Sequence, residues 1–524
     1  MEMCGFLILV IYSLLIQLWG MVAVTEAHVN VTCEYEAMTD LLHDLASNYS
    51  HIVRLESIGK TVEDREIWVM IVSDSPYHRP LLRPQVKFVG NVNGMSGPAC
   101  YVLLRLTIHL LEQYESEASM ERQLMESSEI HIIPNLNPDG YARAVPGSCY
   151  GPEGRLNANK VNLNTNFPDI FQEQEGQTIQ KETAAMIRWL QKNKFVVSVS
   201  VISGAQVVVY PFDSVLADGG FADGEPHFTP DDDIFKQLAL TYATKTGSPT
   251  DGWVCPRLKR RFPYGIINGA EWNPQSGTMM DYNYIHGTFE IMAGISCCRN
   301  QNDTTVLDRL WWHNREGLLH VIHEVNTGIR GQVVDSETYE PVPEAKLEKK
   351  SHLYIEEEDD EFSMTWFTTE HGEFWRPWQP GKYKLRVEKE GYKSALVRVD
   401  VKHKQPSFVR VELEKLVIKV KVQTTKPPIR NDRTEKTTSP HYDFSNNITT
   451  HVAEFNSTTQ VKDDEKLEPE IRPVKHYSSL TQLDHSFLKL IKGLHQRNSV
   501  GSRNFNTIQI LLSIAFHMLV LRYL

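Results

Sequence analysis

The stretch Val86-Lys87-Phe88-Val89-Gly90-Asn91-Val92-Asn93-Gly94-Met95-Ser96 decides the fold. Its short apolar run, Val86 to Val89, ends in glycines and asparagines, and the longer apolar stretch Cys100 to Leu111 follows. A second short run, Ile130 to Ile133, comes next, and the order repeats with Thr183 to Leu190 and Val196 to Val201. Strand-like runs alternating with longer amphipathic stretches predict an α/β domain with a largely parallel sheet over about residues 35 to 325. In such sheets the ligand site lies beyond the carboxyl ends of the strands.

The pattern changes near Gly328. Tyr383 to Val387, Ala395 to Val401 and Phe408 to Leu413 alternate apolar with charged residues. A period of two marks half-buried antiparallel strands, so a small β-sandwich is expected. The acidic run Glu356 to Glu361 falls between two of its strands and reads as a solvated hairpin loop, because its oxygens lack the spacing of a calcium loop. From about 418 to 498 the chain is rich in Thr, Lys, Asp and Glu and poor in apolar runs. Such a segment cannot bury enough surface to fold alone and reads as a disordered stalk.

At 524 residues the chain can hold two or more domains with their own cores. Its net charge of -12, with no long basic run, argues against a nucleic-acid partner. Gly5 to Val24 is apolar, and the small residues Thr25 and Ala27 fit a signal-peptidase site, giving a mature start near His28; a retained signal anchor is the alternative. A second apolar run, Ile508 to Leu521, is 14 residues long. That is shorter than the roughly 20 needed to span a bilayer. Small residues (Ser499, Gly501, Ser502) and a polar spacer precede it, the order of a GPI-anchor signal, with a short transmembrane helix as the rival. The expected division is 1–27 signal peptide, 28–326 α/β domain, 327–417 β domain, 418–499 stalk and 500–524 anchor signal.

A secretory route makes the cysteines disulfide candidates. Cys4 leaves with the signal, and Cys33, Cys100, Cys149, Cys255, Cys297 and Cys298 remain. Spacing alone does not pair them. Asn-X-Ser/Thr acceptors stand at Asn30, Asn48, Asn302, Asn447 and Asn456, which suits a cell-surface or extracellular glycoprotein.

Six ordered segments carry a family resemblance. They are Ile133-Pro134-Asn135-Leu136-Asn137-Pro138-Asp139-Gly140-Tyr141, Gly154-Arg155-Leu156-Asn157-Ala158-Asn159 and Asn162-Leu163-Asn164-Thr165-Asn166-Phe167-Pro168-Asp169, then Tyr210-Pro211-Phe212-Asp213, Asp281-Tyr282-Asn283-Tyr284 and Phe289-Glu290-Ile291 with Ser296-Cys297-Cys298. Together they resemble the carboxypeptidase N/E subfamily of zinc metallocarboxypeptidases, with an overall layout similar to carboxypeptidase M. The run Gly328-Ile329-Arg330-Gly331-Gln332-Val333-Val334-Asp335 resembles the start of the transthyretin-like domain found there. The resemblance covers roughly residues 35 to 415. It implies a metallocarboxypeptidase domain, a mixed, mostly parallel central sheet flanked by helices, followed by a small all-β transthyretin-like sandwich.

Such enzymes release C-terminal Lys or Arg with one zinc, which activates a water whose proton a glutamate takes. The resemblance puts the metal ligands, a His-X-X-Glu pair and a distant His, at Asn93, Ser96 and Ser203. An amide and two hydroxyls are poor zinc ligands, so no cofactor is expected. The general-base position is Gly294, which has no side chain to accept a proton. The arginine that clamps the substrate carboxylate corresponds to Thr165, and the tyrosine that closes over substrate to Asn273, between matching Trp272 and Pro274. Three substrate-contact positions match: Arg155, Asn164 and Asp213, the last implied near the floor of a pocket for a basic side chain. The resemblance also implies the pairs Cys149–Cys298 and Cys255–Cys297, leaving Cys33 and Cys100 as a third.

Two literal His-X-X-Glu strings, His109 with Glu112 and His313 with Glu316, lie in amphipathic stretches and read as solvated helix faces. Ser203 lacks the Gly-X-Ser-X-Gly elbow of a serine hydrolase. The expected function is an extracellular carboxypeptidase-like protein without catalysis, binding a peptide or protein ligand, one with a basic C-terminus if Asp213 keeps its role. Two alternatives remain at this point: an active enzyme with an unusual metal site, and a structural or adhesive surface glycoprotein.

Overall fold

In the computed structural model residues 31–116, 118–172, 176–215, 224–258, 260–350 and 364–416 are described. The proposed signal peptide, stalk and anchor signal, the acceptors Asn30, Asn447 and Asn456, and the acidic run 356–361 lie outside them.

The first domain is built on one sheet. Its strands are β1 (Val53–Lys60), β2 (Glu66–Val72), β3 (Gln85–Gly90), β4 (Glu129–Ile133), β5 (Phe195–Ile202), β6 (Ala205–Tyr210), β7 (Ile266–Asn268) and β8 (Phe289–Ser296). They lie side by side in the order β1-β2-β4-β3-β5-β8-β6-β7. The central neighbours β4, β3, β5 and β8 are parallel, and β6 joins β8 antiparallel. The sheet is therefore parallel at its centre, as the alternating pattern predicts, and mixed overall, as the resemblance implies. Strands β3, β4 and β5 are buried almost throughout, which explains their near-continuous apolar runs.

Helices cover both faces. They are α1 (Tyr35–Asn48), α2 (Gly97–Gln113), α3 (Met120–Ser127), α4 (Pro138–Tyr141), α5 (Lys181–Lys192), α6 (Asp232–Lys245), α7 (Gly269–Trp272), α8 (Met279–Ile285) and α9 (Thr304–Glu324). Among them α2 is buried on nearly every side, matching its mostly apolar stretch. The solvated-face reading of His109 is corrected here. His109 is buried, pairs with Glu121 at 2.8 Å and meets Trp311 edge to face, because α3 and α9 pack over that side of α2. His313 is exposed, as expected for a solvated face.

The second domain has two sheets. One runs β11 (Thr365–Phe367), β10 (Lys346–Lys350), β13 (Gly381–Glu388), β14 (Ala395–Val401), and the other β12 (Glu373–Arg376), β9 (Ile329–Asp335), β15 (Ser407–Leu413). The expectation of antiparallel strands fails at β15, which pairs with β9 in parallel, from Ser407 beside Ile329 to Leu413 beside Asp335. Alternation reports only that one face is buried and is blind to strand direction. The domains meet through buried charge. Arg376 donates to Asp231 at 2.5 Å, Tyr284 donates to the same carboxylate at 3.0 Å, and the guanidinium lies over the rings of Trp366 and Phe289.

Candidate functional site

The carboxyl end of β3 is held open by an asparagine pair. Asn91 adopts a left-handed backbone (φ 56°), and its side chain donates to Asn135 at 2.8 Å while accepting the Ser96 N–H at 2.9 Å. The Ser96 N–H also reaches the Asn93 carbonyl at 2.9 Å, closing the turn that carries Asn93 and Ser96. Gly94 is required at its apex, because a Cβ there would lie 2.5 Å from the Gly140 and Gly154 backbones. The motif Asn137-Pro138-Asp139-Gly140 supplies that wall. Asn137 accepts the Gly140 N–H at 2.9 Å, and buried Asp139 accepts from Thr61 and Arg65.

The end of β5 reaches the same turn. Ser203 donates its N–H to Ser96 Oγ at 3.4 Å, and its hydroxyl donates to the Arg299 carbonyl at 2.5 Å. In the β5–β8 register Gly294 stands opposite Ile202, beside Ser203. The structure thus brings Asn93, Ser96, Ser203 and Gly294 together. A Cβ on Gly294 would lie 2.8 Å from the Ala205 carbonyl oxygen, so the backbone leaves no room for a side chain there.

Arg155 follows Gly154 directly, next to the Gly94 apex, and its Nε is buried without a hydrogen-bond partner. Asn93 Oδ1 is likewise buried and unpartnered. Asn164 sits half-buried in the turn Leu163–Thr165, its N–H held by Asn162. Thr165 uses its carbonyl to accept from Gln177. Asn273 closes α7 and is exposed.

Asp213, implied by the resemblance near the floor of a pocket for a basic side chain, lies deep in the fold. It is 2% exposed, packed against Gly269, and its N–H and that of Ser214 donate to Asp281. Burial pushes the Asp213 carboxyl up to about 7, against a hydrogen bond from Thr278 and reinforced by the negative field of Glu290. Burial raises Asp281 well above its ordinary value, and the Asp213 charge raises it further.

A buried network that the sequence reading passed over lies deeper in the sheet. Lys87 donates to Ser198 and Glu290 at 2.7 and 2.9 Å, and Glu290 also accepts from Ser200 and Asn283. Both ions are essentially unexposed. Glu290 was quoted within a motif, but nothing in that string indicates its partner, more than 200 positions away.

The disulfides are Cys149–Cys298, Cys255–Cys297 and Cys33–Cys100. The pairings implied by resemblance hold, and the residual pair is bonded. The vicinal Cys297 and Cys298 tie both the loop of Arg155 and the loop of Arg257 to the end of β8.

An α/β domain with a β8-end site, followed by a two-sheet β domain, defines the metallocarboxypeptidase architecture. The zinc carboxypeptidase family model matches residues 38–317 and the carboxypeptidase regulatory-like domain matches 328–414, so the chain belongs to the zinc carboxypeptidase family. It is 37% identical over 375 residues to carboxypeptidase M of Mus musculus, covering 71% of this chain and 81% of that one. It is 33% identical over 414 residues to the human carboxypeptidase N catalytic chain, covering 74% and 86%. Carboxypeptidase D of Anas platyrhynchos is 34% identical over 408 residues, 77% of this chain and 28% of its own length.

The family's zinc does not fit the residues present. Structural and catalytic zinc is held by thiolate, imidazole or carboxylate. Here the converging groups are an amide and two hydroxyls, and one hydroxyl is already spent on the Arg299 carbonyl. Among the described residues no three His, Cys, Asp or Glu side chains are grouped to hold a metal.

Proposed function

We propose that this chain is a carboxypeptidase-fold protein without peptidase chemistry, whose cleft binds the C-terminal end of a peptide or protein at the cell surface. The observation that supports it is the convergence of Asn93, Ser96, Ser203 and Gly294 where the family performs metal chemistry. The turn is built, yet it offers no strong metal donor, and the base position has no room for a side chain. Losing a general base alone costs a factor of about a hundred to ten thousand in rate. Without the metal, water has no activator here.

The surface location rests on the apolar N-terminal run, the small-residue site before the C-terminal apolar run, and the exposed acceptors Asn48 and Asn302. No helix among the described residues is long and apolar enough to cross a membrane. A GPI anchor is the reading the C-terminal pattern favours. The test is to incubate the purified protein with C-terminally varied peptides and zinc, measuring binding and peptide mass together. Binding with unchanged mass supports the reading. Release of a C-terminal residue that a chelator abolishes contradicts it.

A further inference from the structure

Where the family resemblance implies two glutamates, a ligand and a base, this chain has Ser96 and Gly294. Around the same turn stand three arginines. Arg155 follows the Gly154 backbone that packs on Gly94. Arg299 follows Cys298, lies with its side chain against Gly204 and donates to the Gly151 carbonyl at 3.0 Å. Arg257 stacks on the Tyr150 ring at 3.8 Å, in the loop that Cys255 ties to Cys297. The two disulfides at Cys297 and Cys298 therefore hold all three loops around one point.

None of the three guanidiniums forms an ion pair with a carboxylate of the described residues. Burial and then the charges of Arg155 and Arg257 lower the pKa of Arg299, a sign of mutual repulsion that an anion would relieve. Guanidiniums without a carboxylate partner are natural receptors for carboxylate, sulfate or phosphate, which they grip with paired N–H donors.

We infer that Arg155, Arg257 and Arg299 form an oxyanion-binding site that selects a peptide with an acidic C-terminal residue. This rests on the peptide-cleft reading and reverses the basic preference that Asp213 suggested, since that carboxyl is buried against Gly269.

The experiment uses the full chain and two probes. Inorganic sulfate is titrated by calorimetry at low ionic strength, and a peptide pair differing only in a final Glu or Lys is titrated by fluorescence anisotropy. The Glu peptide binds at least about ten-fold more tightly than the Lys peptide, as expected from charge-assisted pairing, and salt erodes the difference. Arg257→Gln, exposed and without a hydrogen bond to the fold, lowers both sulfate and Glu-peptide affinity; Arg299→Gln lowers them further. Equal affinity for the two peptides, or a preference for Lys, overturns the charge inference while leaving the cleft reading standing. Sulfate binding that is sensitive to Arg257→Gln, with no binding of either peptide, keeps the anion site and removes the peptide reading. No binding of sulfate or peptide overturns both.

Discussion

Ser203 donates its backbone N–H to Ser96 Oγ across 3.4 Å, and this contact joins the ends of β3 and β5 where two metal ligands would converge. Ligand identity and ligand placement are separable properties: the turn holds the two positions together while neither offers a donor that zinc favours.

That separation predicts the behaviour of a restored site. The triple variant Asn93→His, Ser96→Glu, Ser203→His supplies the donor types that zinc requires. It should retain about one equivalent of zinc through dialysis, consistent with three protein ligands and an open position. It should still release no C-terminal residue, because nothing takes the proton at Gly294, where a Cβ would lie 2.8 Å from Ala205 O. Metal analysis and peptide mass check the two halves. A triple variant that binds no zinc would show that the turn geometry itself has drifted.

The Lys87–Glu290 pair is a second point of test. Lys87→Met alone leaves the Glu290 carboxylate buried with only neutral donors, and should cost about 3–5 kcal/mol of stability. Adding Glu290→Gln removes the stranded charge and should recover much of that loss. Denaturant unfolding of the two variants decides it; an equal loss in both would mean that the ion pair is not the stabilising element.

Acidity provides a third. Asp213 has a folded-state pKa raised from 3.8 to about 7, so the folded chain holds a proton that the unfolded chain has lost across that window. Stability from this group is present below pH 3.8 and is lost as pH rises through about 7. Asp213→Asn cannot ionise and should flatten that part of the stability profile, gaining most over wild type at pH 8. Thermal unfolding from pH 4 to 8 measures it, and parallel profiles for the two proteins would refute the assignment.

A buried guanidinium ties the two domains together, alongside the Arg79–Glu373 pair. Arg376 is 2% exposed and pairs with Asp231. Arg376→Ala takes from Asp231 its buried ion-pair partner, leaving Tyr284 and the more distant Lys349, at a cost of up to about 3–5 kcal/mol. The expected sign is faster proteolysis between the two domains, near residues 324–329, where α9 gives way to β9. Unchanged cleavage kinetics would contradict this.

Much of this was readable from the residues. Val86 to Val89, Cys100 to Leu111 and Ile130 to Ile133 became β3, α2 and β4 because nearly complete burial leaves mostly apolar runs. The vacant donor positions were legible because zinc chemistry restricts residue type so narrowly. What was hidden is relational. The direction of β15 does not alter its alternation, and the burial of His109 depends on α3 and α9. Arg257 and Arg299 carried no motif of their own; their closeness to Cys255 and Cys298 was the available signal, and it becomes informative only once the pairing of those cysteines is known. Asp213 matched its motif, yet its packing against Gly269 and its link to Asp281 decide whether a ligand can reach it.

Asn93, Ser96 and Ser203 are expected to hold no zinc. The direct measurement is metal content of the wild-type protein after loading with excess zinc and exhaustive dialysis. Well below one equivalent, unchanged by Ser203→Ala, is the expected result. One tightly held equivalent that Ser203→Ala removes would contradict it.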